Sequence, residues 1–254
     1  MSVPGPLGRP RLHLRETDST NERAKELALA GAPHGMLVTA GFQTAGRGRH
    51  GRAWSAPPDA SLLASLVVRV SDETTALLPL AAAVAVCEAC ERLASVECAI
   101  KWPNDVWIDG RKVAGILLEG RPQEGWAVLG LGINVAVRTA DLPEELRETA
   151  TSLAESAAGT PDTHAPAVEA VLAATISALE RVLAAGLEEI RAAWTARDAL
   201  LGHSIRWDGG EGIAEGIGSS GALTVSFPDG TRSEIHAGEV MLVRRHWDER
   251  SEAG

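Results

Sequence analysis

A chain of 254 residues can hold one large domain, or a main domain with a small appendage. Its 24 Lys and Arg residues stand against 34 Asp and Glu residues, and the net charge of −10 argues against binding to DNA or to a membrane surface through bulk positive charge. The N-terminus lacks the basic start and apolar run of a signal peptide, no stretch is long and apolar enough to cross a bilayer, and three cysteines argue against a disulfide framework. We therefore expect a cytoplasmic protein.

The first part of the chain shows strand and helix periodicities in turn. Either Ser19 or Thr20 is placed to cap the helix that follows, and Glu22, three residues after Ser19, fits a capping box. Gly31 closes that helix. In chain order, the apolar pattern predicts a strand over 11–15, a helix over 22–30, strands over 35–40 and 61–70, and an alanine-rich buried helix over 77–94.

The rest of the chain continues with strands, then helices, then short strands again. Asp109 and Gly110 form a dipeptide typical of a tight hairpin turn. The predicted elements are strands over 98–101, 106–108, 111–119 and 126–137, helices over 164–185 and 187–201, and short glycine-punctuated strands over 202–246. We therefore predict an α+β protein with a mixed-sheet domain over 1–201 and a small C-terminal β-barrel domain over 202–254.

Cys87 and Cys90 match the C-x-x-C pattern of metal and redox sites. They lie within the helix predicted over 77–94, where positions three apart share a face, and no second pair or histidine cluster completes a zinc site. We interpret them as two buried apolar thiols.

The most informative stretch is the segment from Gln43 to Trp54, here called the arginine loop. Glycine lets a backbone approach a ligand closely, and the arginine guanidinium is a fork of donors that matches phosphate and carboxylate. No acid interrupts the segment, so we expect its arginines to repel one another unless an anion binds; a solvated basic loop is the plain alternative. The glycines are Gly46, Gly48 and Gly51, and the arginines are Arg47, Arg49 and Arg52.

The sequence matches the residues of two familiar motifs but lacks the surrounding elements that each motif requires. The loop glycines have the spacing of the dinucleotide-binding fingerprint, which requires a helix directly after its last glycine. The residues that follow, Arg-Ala-Trp-Ser-Ala-Pro-Pro, start no helix. Ala-Ile-Lys101 imitates the strand lysine of a protein kinase, but the chain contains neither His-Arg-Asp nor Asp-Phe-Gly. Neither an NAD site nor a kinase is therefore predicted.

Three further segments place charged residues beside glycines: Lys101-Trp-Pro-Asn-Asp105, Lys112-Val-Ala-Gly-Ile-Leu-Leu-Glu119 and Gly130-Leu-Gly-Ile-Asn134. If the Lys112 side chain points inward, it holds a fixed positive charge near a bound anion; otherwise it is a solvated lysine after a turn. Asp105 is suited to hold a cation or to orient an incoming amine. Together with the arginine loop, these segments indicate a site that activates a carboxylate with a nucleotide.

In their order along the chain, these segments resemble the motifs of the biotin protein ligases. That family is marked by Gly-Arg-Gly-Arg-x-Gly-Arg-x-Trp, Lys-Trp-Pro-Asn-Asp, Lys-x-x-Gly-Ile-Leu-x-Glu and Gly-x-Gly-Ile-Asn, and all four stand here. Asp18-Ser-Thr-Asn21 and Thr151-Ser-Leu also match, while His50 stands where many members carry a further arginine. The resemblance covers nearly the whole chain and implies a catalytic domain of the biotin/lipoate ligase type with a C-terminal SH3-like module.

The resemblance implies a two-step reaction with ATP, biotin and Mg²⁺. The carboxylate of biotin attacks the α-phosphate of ATP, giving biotinyl-5′-AMP and pyrophosphate, and a lysine of a biotin carboxyl carrier protein then attacks the mixed anhydride. It implies catalytic roles for Lys112, Arg49, Asp105 and Lys101, with Asp105 also a candidate metal ligand.

The motif match also assigns binding residues. For the biotin head it implies hydrogen bonds from Ser19, Thr20 and Gln43 in a pocket lined by Gly115 and Gly132. For the nucleotide it implies contacts from Arg47, Arg49, Lys112, Asn104 and Asn134. The predicted binding site also includes Asn21, Gly46, Gly48, His50, Gly51, Arg52, Trp54 and Ile116.

Two alternatives come from other classes. A lipoate ligase or octanoyltransferase has a related fold and also acts on carrier lysines, but the complete arginine loop with Lys-Trp-Pro-Asn-Asp favours biotin. A nucleic-acid-binding module is disfavoured by the acidic residues of the C-terminal barrel. Since the sequence shows no N-terminal helix-turn-helix extension, we expect a monofunctional enzyme without repressor activity, a monomer or weak dimer with no nucleic-acid or membrane partner.

Overall fold

The computed structural model describes residues 6–69, 75, 77–157 and 165–243. These residues form a seven-stranded sheet, helices against both of its faces, and a five-stranded C-terminal sheet. The helices are α1 (Thr20–Leu29), α2 (Leu77–Ala94), α3 (Glu144–Arg147), α4 (Leu153–Ser156), α5 (Val168–Ala185) and α6 (Leu187–Thr195). The strands of the large sheet are β1 (Arg11–Thr17), β2 (Leu37–Gln43), β3 (Ser61–Arg69), β4 (Ala99–Lys101), β5 (Asp105–Ile108), β6 (Arg111–Arg121) and β7 (Trp126–Asn134). The strands of the C-terminal sheet are β8 (Ser204–Trp207), β9 (Gly210–Ile217), β10 (Leu223–Ser226), β11 (Arg232–Ile235) and β12 (Met241–Leu242).

The large sheet is mixed, which confirms the predicted α+β class. Its strand order is β1-β2-β3-β7-β6-β5-β4, with β1 and β2 parallel and all other neighbours antiparallel. In this register Gly115 of β6 lies opposite Gly132 of β7, which in turn lies opposite Leu63 of β3. Two adjacent strands therefore lack side chains at the same level, which leaves a depression on one face of the sheet.

Strand alternation sends apolar side chains to both faces of the large sheet. On one face, α1 covers a small cluster that includes Ala24, Val67 and Val128. On the other face, the alanine-rich helix α2 lies in the main core, and α5 and α6 pack against it. None of the helices in the described part of the chain is long and apolar enough to cross a membrane.

Most predicted elements are confirmed, with shifts at their ends. The helix predicted over 77–94 is α2, and the hairpin turn at Asp109 and Gly110 has φ angles of 49° and 72°. The helix predicted over 187–201 ends earlier, at Thr195, because the chain beyond it pairs with β4: Ile100 N–H donates to Arg197 O at 2.6 Å. Positions 70 and 164, at the ends of two predicted elements, lie outside the described residues.

The capping box predicted at Ser19 is wrong. Ser19 occupies the N-cap position of α1 with extended backbone angles, but its side chain makes no capping hydrogen bond. Instead, the Thr20 N–H donates to Gln43 Oε1 at 2.7 Å, so a side chain of β2 satisfies one of the free donors of the first helical turn. The start of α1 is thereby tied to the start of the arginine loop.

Cys87 and Cys90 are buried free thiols in α2, which confirms their interpretation. Cys98 is a third buried thiol beside them, and contact with it, together with burial, raises the pKa of the Cys87 thiol. No group of three or more His, Cys, Asp and Glu side chains among the described residues is arranged to hold a metal ion.

The C-terminal sheet has the strand order β11-β10-β9-β8-β12, with every neighbouring pair antiparallel, as expected for an SH3-like module. Its buried side chains, among them Ile205 and Leu223, belong to the same hydrophobic core as α2. In addition, Trp102 Nε1 donates to Gly221 O at 3.0 Å. A domain boundary at residue 202 stays a prediction, and positions 244–254 lie outside the described residues.

Candidate active site

A cavity of about 390 Å³ opens where the arginine loop faces strands β5, β6 and β7. The structure brings together there all the predicted site residues except Gly46 and Gly51. Those two glycines line a neighbouring hollow along the loop. Gly238 and Glu239, which belong to the C-terminal sheet region, complete the wall of the cavity.

The arginine loop folds back on itself as a short hairpin. The Gly48 N–H donates to Arg52 O at 2.7 Å, and the Trp54 N–H donates to Gly46 O at 2.9 Å. A Cβ at Gly46 would lie 2.5 Å from Trp54 O, so only glycine fits there. The tip is a single 3₁₀ turn (Arg49–Gly51) rather than the start of a helix, in agreement with the rejection of the dinucleotide motif.

Two of the loop arginines are paired with acids from distant parts of the chain. Arg47 Nη1 lies 2.6 Å from Glu22 Oε1 of α1. Arg52 forms an ion pair with Glu239, which lies between β11 and β12. The loop arginines repel one another as expected, since the charge of Arg52 adds to the lowering of the Arg49 pKa, but the fold supplies carboxylates that the loop sequence lacks and that offset part of this repulsion.

Arg49 and His50 form the tip of the loop. Arg49 Nη1 lies 3.5 Å from Asn104 Oδ1, and burial lowers the pKa of the guanidinium, opposed by the negative charges of Asp105 and Glu239. His50 is exposed and has a φ of 55°. No carboxylate in the described part of the chain lies within ion-pair distance of Arg49. Its half-buried cation is therefore available to an anion in the cavity.

The indole of Trp54 lies on the glycine depression of the large sheet. A Cβ at Gly132 would lie 2.7 Å from Trp54 Cε2, and one at Gly115 would lie 3.1 Å from Trp54 Cζ3, so the missing side chains let the ring reach the sheet. The ring nitrogen of Trp54 is buried and has no hydrogen-bond partner among the described residues. The indole thus forms one wall of the cavity, over the glycines assigned to the biotin pocket.

Lys112 and Asp105 form an ion pair at the cavity wall. Lys112 Nζ lies 2.7 Å from Asp105 Oδ1, and the two side chains are only 33% and 19% exposed. The same ammonium lies 5.7 Å from the centre of the Trp54 ring. Lys112 is therefore not a freely solvated lysine after a turn: it is a partly desolvated cation beside Gly115.

Lys101 lies next to Asp105 on the opposite strand of the β4–β5 hairpin, where the two residues are paired in register. Its ammonium lies 5.3 Å from the centre of the Trp107 ring. Burial lowers the pKa of Lys101, while the negative charges of Asp105 and Glu239 oppose the shift. Asp105 thus lies between two lysines in the cavity.

A hydrogen-bond network behind the cavity joins α1 to strands β2, β3 and β6. Gln43 Oε1 accepts from the Thr20 N–H at 2.7 Å and from the Thr20 hydroxyl at 2.9 Å. Ser65 Oγ donates to Asn21 Oδ1 at 2.6 Å and lies 2.8 Å from Thr20 Oγ1, and Asn21 Nδ2 donates to Glu119 Oε2 at 2.9 Å. Because the oxygen of the Gln43 amide is occupied, its nitrogen remains as a donor.

The two asparagines assigned to the nucleotide are held by backbone groups. Asn104 Nδ2 donates to Ile116 O at 2.8 Å, and Asn134 Nδ2 donates to Thr151 O at 3.0 Å. Asn134 is only 5% exposed. Both side chains line the cavity, but their amide groups already brace neighbouring segments, so a contact with the nucleotide stays a prediction.

Four residues of this region were not predicted as site residues: Glu22, Ser65, Glu119 and Glu239. Ser65 left a usable signal, because a hydroxyl in the middle of an apolar strand needs a buried hydrogen-bond partner. Glu119 closes a recognised motif, but nothing in the sequence predicts that it reaches Asn21. The contacts of the other two acids depend on the tertiary fold.

Asp105 is the residue predicted to bind a metal. Among the described residues it belongs to no cluster of three potential metal ligands. A magnesium ion held by one carboxylate takes its remaining ligands from substrate phosphates and water. The residues present therefore fit Mg²⁺ as part of a magnesium–nucleotide complex, and do not form a separate all-protein site.

Comparisons with known proteins agree with this geometry. Residues 14–135 match the model of the Biotin/lipoate A/B protein ligase family. The chain is 38% identical to the biotin–[acetyl-CoA-carboxylase] ligase of Paracoccus denitrificans, over 90% of this chain and 99% of that protein. The chain belongs to the biotin protein ligase family. The bifunctional ligase/repressor BirA of Bacillus spizizenii is 33% identical, over 93% of this chain and 75% of that protein.

The structures of biotin protein ligases also match this fold. The biotin protein ligase from Aquifex aeolicus in complex with biotin and ATP aligns with a TM-score of 0.78 and 28% identity, over 93% of this chain and 100% of that chain. The alignment spans almost the whole molecule, so the predicted combination of a mixed catalytic sheet and a C-terminal sheet is confirmed as the biotin protein ligase fold.

Proposed function

We propose that this protein attaches biotin to a specific lysine of a biotin carboxyl carrier protein, using ATP and a biotinyl-5′-AMP intermediate. The observation that carries the proposal is the arrangement of the cavity. Arg49 and Lys112 provide cations, Thr20 and Gln43 provide hydrogen-bonding groups, and the Trp54 ring packs on the glycine floor of the same cavity. The similarity to ligases that are named for biotin, or were solved with biotin and ATP, supports it.

The end of the cavity near Thr20 and Gln43 suits the ureido ring of biotin. A ureido group presents a carbonyl acceptor and N–H donors. The Gln43 amide nitrogen and the Ser19 hydroxyl are donors for that carbonyl, and the Thr20 hydroxyl oxygen is an acceptor for an N–H. The dithiolane of lipoate and the alkyl chain of octanoate leave such groups unpaired, which penalises both acyl chains.

In the first step, the carboxylate of biotin attacks the α-phosphate and pyrophosphate leaves. Negative charge develops where the carboxylate meets the phosphate, and Lys112 and Arg49 are the cations placed to neutralise it. Arg47 reaches the phosphates by exchanging Glu22 for a phosphate oxygen. The protein supplies positioning and charge neutralisation, without a covalent intermediate on its own side chains.

In the second step, the ε-amine of the acceptor lysine attacks the acyl carbon of the mixed anhydride, an amide bond forms, and AMP leaves. The amine must lose its proton to attack. Asp105, paired with Lys112 at 2.7 Å, is the carboxylate placed to orient the amine and to accept that proton. Lys112 then balances the charge of the departing phosphate.

We also propose that ATP binds as its magnesium complex, with Asp105 holding the ion directly or through water. When bound, the ion neutralises phosphate charge. The acceptor is the carrier domain of an acyl-CoA carboxylase. A monomeric or weakly dimeric state, a cytoplasmic location, the boundary at residue 202, and the absence of repressor activity, nucleic-acid partners and membrane partners remain predictions.

A pyrophosphate-exchange assay tests the proposed function. Exchange of labelled pyrophosphate into ATP should require biotin and should not occur with lipoate or octanoate. With a purified carrier domain, one lysine should gain the mass of a biotinyl group. Exchange supported by lipoate or octanoate but not by biotin would identify a related acyl ligase instead, and no exchange with any of the three would refute adenylation of these acids.

Ser65→Ala is expected to weaken the binding of biotin more than that of ATP. The change removes the donor that lies 2.6 Å from Asn21 Oδ1, in a fully buried position. An unsatisfied buried group costs about 1–3 kcal/mol, so the KM for biotin should rise on the order of tenfold while the KM for ATP changes less than about twofold. Ser61→Ala, on the same strand and face but bonded to Asn134, is the matched control. Equal changes in both KM values would indicate general loosening instead.

The arginine loop is expected to be open in part of the molecules without substrates and to close on biotin and ATP. Its side-chain ion pairs are exposed and worth about 0–1 kcal/mol each, whereas ordering the backbone costs about 1–2 kcal/mol per residue. Biotin with ATP should therefore slow tryptic cleavage after Arg47, Arg49 and Arg52. Cleavage at the same rate with and without both substrates would contradict closure.

A further inference from the structure

We propose that Glu239 is a positioning residue, through which the C-terminal sheet keeps the arginine loop closed over the adenylate. The inference rests on the proposed ligase function and adds a residue that lies outside all the sequence motifs of the site. It assigns to the C-terminal sheet a defined task in the first half of the reaction, which is retention of the intermediate.

Glu239 is held at the cavity by the fold around it. It lies in the short connection between β11 and β12, directly before Val240, which is completely buried in the shared core. Gly238 precedes it with a φ of 120°, a conformation that favours glycine. Backbone geometry on one side and core packing on the other therefore fix the backbone of Glu239 at the edge of the cavity.

The C-terminal sheet is itself anchored beside the catalytic residues. The Trp102 ring, which follows Lys101 directly, donates to Gly221 O at 3.0 Å. A Cβ at Gly221 would lie 3.1 Å from Leu80 Cδ1 of α2, so the two parts are in close contact there. The connection that contains Glu239 is thus held by packing against the rest of the protein. The arginine loop, in contrast, is held mainly by the hydrogen bonds of its own short hairpin.

The carboxylate of Glu239 faces several basic side chains at once. It pairs with Arg52, and this hydrogen bond is the main cause that lowers the pKa of Glu239, with Lys101 and His50 adding to the shift. Its negative charge also acts on Arg49. Glu239 therefore stays ionised at neutral pH and attracts the part of the loop that has to cover the cavity.

The contact between Glu239 and the loop affects how well the intermediate is shielded from water and how fast it is released. Biotinyl-5′-AMP is a mixed anhydride that hydrolyses in solvent, and a closed loop keeps it in place until an acceptor lysine arrives. Because Glu239 forms its ion pair with Arg52 of the loop, its loss should raise the release of the adenylate by a larger factor than it changes the rate of its formation. In this proposal Arg52 holds the loop closed through its ion pair with Glu239, which we call the latch, and does not bind the phosphates.

The test is a charge exchange between the two partners, with a matched pair as control. The variants are Glu239→Gln, Glu239→Arg, Arg52→Glu and the double variant R52E/E239R. The control exchanges Arg206 and Glu211, a pair in the same sheet that lies 3.0 Å apart and has exposures of 60% and 49%, against 57% and 48% for Arg52 and Glu239. Each protein is assayed without acceptor for the first burst of pyrophosphate and for the steady release that follows, which measures loss of the adenylate.

The latch predicts a steady release that rises about three- to tenfold in the single variants, because Glu239→Gln loses the ion pair and the two charge reversals place like charges opposite each other. In R52E/E239R the release should fall back toward the wild-type value, short of full recovery because the introduced arginine still faces Lys101 and His50. In Glu239→Gln the steady release should rise by a larger factor than the burst rate changes, and the Arg206–Glu211 exchange should change neither quantity. No rise in the single variants, or a release in R52E/E239R as high as in the single charge reversals, would overturn the latch. Tighter ATP binding in Glu239→Gln without added release would show that Arg52 binds phosphate instead.

A second readout does not depend on ligase activity. Without any substrate, trypsin should cleave after Arg47 and Arg49 faster in Glu239→Gln than in the wild-type protein, while the temperature of global unfolding stays the same. Equal cleavage would refute the latch even if the protein is a ligase. Faster cleavage combined with no biotin-dependent burst in the wild-type protein would support the latch and refute the ligase function.

Discussion

Lys112→Ala is expected to slow biotin-dependent pyrophosphate exchange by roughly 10²–10³-fold, the usual effect of removing one preorganised electrostatic group from an acyl- or phosphoryl-transfer site. The ammonium of Lys112 is partly desolvated between Asp105 and the Trp54 ring, so its charge is weakly screened. It also lies beside Gly115 in the wall of the cavity. The loss should appear in the rate of adenylation under saturating substrates rather than in the KM for biotin.

Removing Lys112 also leaves the carboxylate of Asp105 without its ion-pair partner, and this second effect has to be separated from the loss of the Lys112 charge. In the double variant Lys112→Met/Asp105→Asn neither charge remains, and the unbranched apolar side chain introduced at position 112 still packs on Trp54. Asp105→Asn alone measures what the loss of this carboxylate costs. If Lys112→Ala is slow only because unpaired Asp105 repels the substrates, the double variant should exchange as fast as Asp105→Asn; if Lys112 itself neutralises the developing charge, the double variant should be much slower than Asp105→Asn. Arg111→Ala, one position earlier on the hairpin, is the control for folding. Near-wild-type exchange in a folded Lys112→Ala protein would refute the assigned role.

The parts of this molecule that the sequence predicts well are those in which neighbours along the chain decide the outcome. The alanine-rich apolar run over 77–94 becomes α2, and Asp109-Gly110 becomes a turn, because local periodicity and backbone preference act alone there. The arginine loop and Lys101-Trp-Pro-Asn-Asp105 were recognisable because several residue types that bind anions are fixed at short spacings. The residues that line the cavity could therefore be predicted from motifs.

The parts that escaped prediction depend on residues brought together by the fold. Arg52 and Glu239 are 187 positions apart, so nothing in the loop sequence indicates that its charges are balanced. The capping box at Ser19 is not formed, and the side chain that bonds a free donor of this helical turn is Gln43, 23 positions after Thr20. A local pattern cannot predict such a partner, because the fold brings it from a different strand.

Arg49→Gly is expected to leave the formation of biotinyl-5′-AMP measurable but to release most of it into solution. Arg49 is the loop arginine whose guanidinium is half-buried, is bonded to Asn104 at 3.5 Å and has no carboxylate partner within the described residues. It is therefore the cation best placed to hold the phosphate of the intermediate once pyrophosphate has left. Lys112 remains in the variant, so the electrostatic help for the first step is only partly lost.

Released biotinyl-5′-AMP acylates any accessible amine, so the Arg49→Gly protein should biotinylate bystander lysines on an unrelated protein in the same tube. The extent should exceed that of the wild-type enzyme by on the order of tenfold or more, since each lost charge contact of this kind is worth about 1.5–3 kcal/mol. Glycine also loosens the loop, and Arg49→Ala separates the two causes because it removes the charge without adding backbone freedom. Arg49→Lys restores a cation but not the planar fork, and should release the intermediate to an intermediate degree.

Bystander labelling at the wild-type level in Arg49→Gly and Arg49→Ala, while adenylation continues, would show that retention of the intermediate does not depend on Arg49. Retention would then depend on Arg47 and on the closure through Arg52 and Glu239.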